Sequence, residues 1–263
     1  MKKGLLMILI LSMFVLSSCT LHMTYEEIER DYDEHLLEVQ PIYLERIAFL
    51  NELSSTWMKG VVRVNKTSAM SVSVGSGLIF DEDLSYYYVL TNNHVIYDPH
   101  MTQTTLTVYD YQNNVYAATY ITSDNDYDLA VLRIRKRSDV DLNVFIFAKE
   151  PMDFDEEITT MGYPEGQLNA IHTGVLLDYG PVQIDVDENI INVNFDVMIA
   201  ELPVKSGSSG SVAVNVNFEV VGLIFAGNFT NGSNVADYAF LIPIDQVKAF
   251  LTTNELAYHE VES

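Results

Sequence analysis

Apolar positions divide the chain into three stretches with different periods. Residues 4–16 form an apolar run interrupted only by Ser12. Between residues 24 and 53, apolar and aromatic residues recur at Ile28, Tyr32, Leu36, Val39, Tyr43, Ile47 and Leu50, in steps of 4, 4, 3, 4, 4 and 3. That spacing is helical and gathers these side chains on one face. Pro41 falls inside the pattern and is expected to kink or split the helix near Gln40. From about residue 56 the pattern changes to short apolar stretches separated by turn residues: 60–64, 71–80, 86–91, 104–109, 115–121, 129–134, 157–161, 171–177, 190–195, 211–216, 220–226 and 237–242. Many are rich in Val, Ile, Tyr and Thr, which favour strands. About twelve strands with no long helices between them predict an all-β barrel or sandwich rather than a parallel α/β sheet. A short helix is predicted over 244–251, after Pro243. No repeat of fixed period is visible.

Composition agrees with a folded body. The chain has 263 residues, 48% of them apolar, and 14 Lys and Arg against 37 Asp and Glu, a formal net charge of −23. This excludes disordered, collagen-like and multi-span membrane chains. The charge argues against nucleic-acid binding, which needs a basic face. Cys19 is the single cysteine, so no internal disulfide forms and stability has to come from a packed core.

The N-terminal run reads as an address. Lys2 and Lys3 precede it, and it is 13 residues long. A bilayer-spanning helix needs roughly 20, so a secretory signal over residues 1–18 is expected rather than a permanent span. The run ends in Leu16-Ser17-Ser18-Cys19, which resembles a bacterial lipobox. The alternative is a plain signal peptide with an incidental cysteine. The resemblance implies lipidation at Cys19, a membrane anchor of two or three acyl chains, and work outside the cytoplasm. Residues 19–55 then form an acidic helical tether. Its stretch 24–53 carries nine carboxylates and two arginines, a charge that repels an anionic membrane. Its apolar stripe has two readings: docking on the body of its own chain, or self-association.

Three segments carry candidate chemistry. His94 lies in Leu90-Thr91-Asn92-Asn93-His94-Val95-Ile96, just after a strand-like run. Asp128 lies in Asn125-Asp126-Tyr127-Asp128-Leu129-Ala130-Val131-Leu132, immediately before one. Ser209 lies in Lys205-Ser206-Gly207-Ser208-Ser209-Gly210-Ser211-Val212, bracketed by glycines. Each alone is ordinary: a structural histidine, a turn aspartate, a serine-rich loop. Together, in this order and at strand–loop junctions of an exported β-rich chain, they resemble the catalytic motifs of trypsin/chymotrypsin-fold serine proteases, in particular the bacterial HtrA/Deg type. Gly75-Ser76-Gly77-Leu78-Ile79 resembles the glycine-flanked strand before the catalytic histidine. Met161-Gly162-Tyr163-Pro164-Glu165-Gly166 resembles the turn between the two barrels.

The resemblance covers about residues 56–252 and implies two six-stranded antiparallel β-barrels with a cleft between them, followed by a tail at 253–263. It implies a serine endopeptidase, needing no cofactor or metal, that cuts proteins or peptides through an acyl-enzyme. His94 would be the general base and then the acid, Asp128 would orient the imidazole, and Ser209 would be the nucleophile. The backbone N–H groups of Gly207 and Ser209 would form the oxyanion hole. Ser206, Ser208 and Ser211 are rival nucleophiles outside the Gly-x-Ser-Gly frame. The rival function is a catalytically inactive member of the fold used for binding at the cell surface.

Several positions depart from the family pattern. Ser211 and Val212 stand where HtrA proteins usually have Gly and Pro. Ser208 precedes the nucleophile where digestive members have the Asp that pairs with a new N-terminus, so activation by that route is not expected. Pro203 stands where trypsin-like members carry an Asp, so trypsin specificity is not expected. Leu223, Ile224 and Phe225 suggest a small or medium apolar primary pocket, with Lys205 near it. Residues 252–263 are too few for the PDZ domains that usually follow. Residues 20–55 do not match the usual trimerisation segment, which leaves an oligomer through 24–53 as the open possibility. Asp185-x-Asp187-x-Asn189 starts like a calcium loop but has Ile190 where glycine is needed, and reads as an acidic hairpin.

Overall fold

The computed structural model describes residues 24–68, 72–97, 104–167, 170–186, 189–229 and 233–261. The signal segment and Cys19 lie outside them. The chain divides into two compact units, Met1–Ala48 and Phe49–Ser263. Helix α1 (Tyr25–Ser55) begins with a capping box: Thr24 Oγ1 accepts the Glu27 N–H at 3.2 Å, and Glu27 Oε2 accepts the Thr24 N–H at 2.8 Å. These bonds satisfy two backbone donors at the helix start. The helix continues through Pro41, so the expected split near Gln40 does not occur. Proline removes one N–H from the ladder, and the flanking turns keep theirs. Within the second unit, Leu53 is buried and Phe49 stacks on Phe218 at 5.0 Å.

After a 3-10 turn (Trp57–Gly60) come β1 (Val61–Thr67), β2 (Val72–Glu82) and β3 (Tyr86–Asn92). A single helical turn, α2 (Asn93–Ile96), precedes β4 (Thr105–Tyr109), β5 (Val115–Asp124) and β6 (Leu129–Arg135). These six strands close an antiparallel barrel in the order β1-β2-β3-β6-β5-β4. The chain continues with β7 (Glu157–Gly162) and β8 (Ala170–Gly180), then β9 (Gln183–Val186) and β10 (Asn189–Asn192), which pair as a separate hairpin. It ends with β11 (Val197–Val204), β12 (Val212–Val214), β13 (Val220–Gly227), β14 (Ala236–Pro243) and helix α2's longer counterpart, α3 (Ile244–Thr253). The second closed barrel has the order β11-β14-β13-β12-β7-β8.

The fold is therefore all-β with two six-stranded antiparallel barrels, as expected, but one strand differs. The stretch expected as a barrel strand at 190–195 contributes to the β9–β10 hairpin, and β11 takes its place in the barrel. Pro203 is tolerated in β11 because the register against β14 shifts between Glu201 and Val204. A residue without an N–H fits at such a bulge.

Period-2 alternation explains the core on β6, and on β13 it is interrupted by irregularities in the register against β12 and β14. On β6, Ala130, Leu132 and Ile134 face the interior of the first barrel, while Leu129 and Val131 join a cluster shared with the second. On β13, Val221 and Ile224 face the interior of the second barrel, while Val220, Leu223 and Phe225 join the shared cluster. Both faces of these strands are dry, so they read as nearly continuous apolar runs. The shared cluster fastens one barrel to the other and fixes the line along which the candidate residues meet. Beyond α3, Tyr258 stacks on Phe147 at 5.5 Å, and Phe147 also bridges to Glu260.

Candidate active site

The register of β3 against β6 brings the first two residues together. Asn92 pairs with Leu129, so the next residue on one strand and the preceding one on the other, Asn93 and Asp128, lie side by side beyond the sheet. The Asn93 N–H and Asn92 Nδ2 both donate to the Asp128 carbonyl at 3.0 Å. Asn93 Nδ2 also donates to Asn125 Oδ1. Asp128 is 3% exposed and has φ +50°, a left-handed conformation that aspartate and asparagine tolerate better than most residues. These contacts turn its carboxylate toward α2. Oδ1 accepts the His94 N–H at 2.9 Å, and Oδ2 lies 2.7 Å from His94 Nδ1. Two bonds from one residue fix both the position and the ring orientation of His94. A carboxylate on Nδ1 favours the tautomer that leaves Nε2 as the acceptor.

Ser209 sits in the turn from β11 to β12. The Cβ position of Gly75 would lie 2.7 Å from Val95 and 3.1 Å from the Ser209 carbonyl oxygen, so the histidine and serine segments converge on the same point of β2. Ser209 Oγ makes a long contact, 3.5 Å, with the Phe225 carbonyl oxygen. Its hydroxyl is not hydrogen-bonded to His94 in this conformation. Of the rival serines, Ser208 and Ser211 are buried and hydrogen-bonded within the protein, and Ser206 is exposed at the start of the loop.

The backbone of this loop is pinned peptide by peptide. The C=O and N–H of one trans peptide point in opposite directions. The Ser206 carbonyl accepts the Glu165 N–H at 2.6 Å, which turns the Gly207 N–H away from that contact. The Ser208 carbonyl accepts the Ser211 N–H at 2.9 Å, which directs the Ser209 N–H likewise. Neither the Gly207 N–H nor the Ser209 N–H has a protein acceptor among the described residues. Glycine is required at two points. Gly207 has φ +87°, and Gly210 has φ +84° with a Cβ position only 2.0 Å from the Ser76 carbonyl oxygen. An L side chain there is both strained and blocked.

The expected pocket residues are more scattered. Leu223, Ile224 and Phe225 are each 2% exposed or less. Their side chains belong to the core, and β13 first becomes accessible at Ala226 and Gly227. Pro203 is exposed at its bulge. Lys205 Nζ pairs with Glu165 Oε2 at 3.1 Å. On β8, burial, aided by the Lys205 charge, pushes His172 below the usual histidine range. Asn92, Asn93, Asn125, Ser76 and Glu165 hold the arrangement together but were not singled out by the sequence. Asn92 and Asn93 are the two residues before His94, and Ser76 stands in the quoted glycine-flanked strand, so position was the only available signal.

Residues 75–223 match the trypsin-like peptidase domain. The serine protease Do-like HtrB of Bacillus subtilis (strain 168) is 28% identical over 175 residues, covering 66% of this chain and 36% of that protein. The periplasmic serine endoprotease DegP of Escherichia coli (strain K12) is 24% identical over 193 residues, covering 73% of this chain and 37% of that protein. The chain thus spans little more than a third of the length of these relatives. Among solved structures, the active form of the Rv3671c protease from M. tuberculosis superposes with a TM-score of 0.63 at 21% identity, covering 79% of this chain and 88% of that one. The HtrA-type protease AlgW with tripeptide gives 0.63 at 21%, covering 79% and 64%. At these identities the structures establish the two-barrel fold. Since the domain match takes in more than half of the chain, including His94, Asp128 and Ser209, this protein belongs to the trypsin-like peptidase domain family.

Proposed function

We propose that the chain is a serine endopeptidase that hydrolyses peptide bonds of proteins through an acyl-enzyme, with Ser209 as nucleophile, His94 as base and acid, and Asp128 as the group that orients the imidazole. The observation that carries this reading is the paired contact of the Asp128 carboxylate with the backbone and ring of His94. The reading requires the Ser209 hydroxyl to leave its long contact with the Phe225 carbonyl and turn to His94 Nε2. His94 takes the hydroxyl proton as Oγ attacks the scissile carbonyl, then gives it to the leaving amine. The oxyanion of the tetrahedral intermediate is received by the N–H groups of Gly207 and Ser209, which are already oriented and cost no rearrangement at that moment. No cofactor enters the reaction.

The reading extends to location. The apolar run before Cys19 and the periplasmic endoproteases among the relatives support work outside the cytoplasm, anchored to a bacterial membrane by lipid on Cys19. Residues 24–53 then form the spacer, whose apolar stripe is the surface through which an oligomer would form. A second reading, a cell-surface binding protein of the same fold, is favoured by the Ser209 hydroxyl's contact with Phe225 rather than His94. One experiment separates the two. The purified full chain in detergent is incubated with an unfolded protein substrate beside Ser209→Ala, and cleavage is followed by mass spectrometry. The proposal requires cleavage by the wild type and loss of cleavage in the variant. Cleavage that survives in the variant removes Ser209 as the nucleophile, and none by a folded wild type favours the binding protein.

A further inference from the structure

Ser76 belongs to the first barrel, yet most of its bonds reach the second. Its side chain is fully buried. Ser76 Oγ donates to the Gly207 carbonyl at 2.9 Å and accepts the Tyr163 N–H at 2.8 Å, with Ser211 Oγ at 3.2 Å as a further partner. Its N–H donates to the Ser209 carbonyl at 2.7 Å. Its carbonyl accepts Thr91 Oγ1 at 2.7 Å, which ties it back to the strand that leads into His94. One residue therefore touches the peptide between the two oxyanion donors, the carbonyl of the nucleophile, and the turn Tyr163–Gly166 whose Glu165 N–H orients the Ser206 peptide.

We propose that Ser76 is a positioning residue for catalysis, whose hydroxyl holds the Gly207–Ser208 peptide so that the N–H groups on either side of it converge on one oxyanion. The proposal rests on the reading of Ser209 as nucleophile. The physical reason lies in the geometry of consecutive peptides. Gly207 is free to rotate because it lacks Cβ. The Glu165 N–H fixes the peptide before it and the Ser211 N–H fixes the one after Ser208. The middle peptide is held at both ends: the Ser208 N–H donates to the Lys205 carbonyl at 3.0 Å, and the Gly207 carbonyl accepts Ser76 Oγ. Removing the hydroxyl leaves that buried carbonyl and the Tyr163 N–H without this partner. Held then only through the Ser208 N–H on the Lys205 carbonyl, the middle peptide pivots about that bond to reach another donor. Rotation there changes the angle between the two N–H groups. Loss of one oxyanion donor lowers turnover by about 100- to 1000-fold, and misorientation of a donor that remains is expected to cost about 10- to 100-fold.

The test uses the full chain and a fluorophosphonate, whose phosphoryl oxygen must occupy the oxyanion hole as Ser209 attacks. Two quantities are read from the time course: the rate constant, and the final fraction labelled. A positioning role lowers the rate constant of Ser76→Ala by about 10- to 100-fold while the final fraction still reaches the wild-type level. A merely structural role lowers the final fraction, because fewer molecules are folded, and leaves the rate constant of the remainder unchanged. That result overturns the proposal, as does an unchanged time course. Should the alanine variant fail to fold, Ser76→Cys, close in shape but a poor donor, decides by the same two quantities. A folded wild type that takes no label at Ser209 overturns the nucleophile reading and this proposal together. Normal labelling of both wild type and variants overturns this proposal alone.

Discussion

Asp128→Asn separates the chemistry of the carboxylate from its place in the fold. Asparagine has the same shape and tolerates the left-handed φ of +50° that residue 128 adopts. Its oxygen still accepts the His94 N–H, now made at 2.9 Å. Its NH2 then faces His94 Nδ1, where the carboxylate oxygen stood at 2.7 Å. A donor there makes Nδ1 the acceptor and moves the ring proton to Nε2, the nitrogen that takes the Ser209 proton in the proposed mechanism. The variant also removes the negative charge that stabilises the imidazolium in a site where Asp128 is 3% exposed. Loss of tautomer and charge together is expected to cost about 10⁴-fold in rate, or about 5.5 kcal/mol of barrier. The Tm is expected to stay within a few degrees, since the backbone contacts to the Asp128 carbonyl do not involve the side chain. The assay is the fluorophosphonate labelling rate beside a thermal melt. A folded variant that labels within tenfold of wild type refutes the assigned role of Asp128.

Gly210→Ala would put a Cβ 2.0 Å from the Ser76 carbonyl oxygen at a φ of +84°. The left-handed conformation and the overlap together are expected to cost more than about 2 kcal/mol and lower Tm by roughly 4–8 °C; a change under about 2 °C contradicts this packing. Lys205→Met breaks the contact with Glu165, whose two side chains are 38% and 44% exposed. Such a pair is expected to contribute less than about 1 kcal/mol, and a larger loss in chemical denaturation shows that Lys205 does something the ion pair does not explain. Burial and then the Lys205 charge hold the His172 pKa below 6.5. The unfolded chain therefore binds a proton there more readily than the folded one, and stability falls as pH drops through 6.5 toward the lowered value. His172→Gln is expected to flatten that part of the Tm–pH curve, and a parallel curve removes His172 as its source.

The strands were legible because most begin and end where apolar runs meet turn residues, as at Tyr86–Asn92 and Leu129–Arg135, and the two barrels followed from the resemblance. Val197–Val204 was not, because Pro203 speaks against a strand unless the bulge that accommodates it is known. The faces of β13 were hidden for another reason. Leu223, Ile224 and Phe225 are all apolar and all buried, so alternation could not say which way each points. At the site, His94, Asp128 and Ser209 were legible only together, through the resemblance of their three segments to the motifs of trypsin-fold proteases. The residues that orient them were not. Ser76 reaches Gly207 and Ser211 across 131 and 135 positions of sequence, and Glu165 acts on Ser206 through a backbone N–H that any residue but proline carries. Contacts of that kind leave no local pattern.

The central claim is that Ser209, alone among the four serines of the loop 206–211, is activated. It is tested most directly by labelling the full chain with a fluorophosphonate and locating the adduct by peptide mass spectrometry. The expected result is a single phosphonyl group on Ser209, absent from Ser209→Ala and strongly slowed in Asp128→Asn. An adduct on Ser206, Ser208 or Ser211, or none on a folded protein, contradicts it.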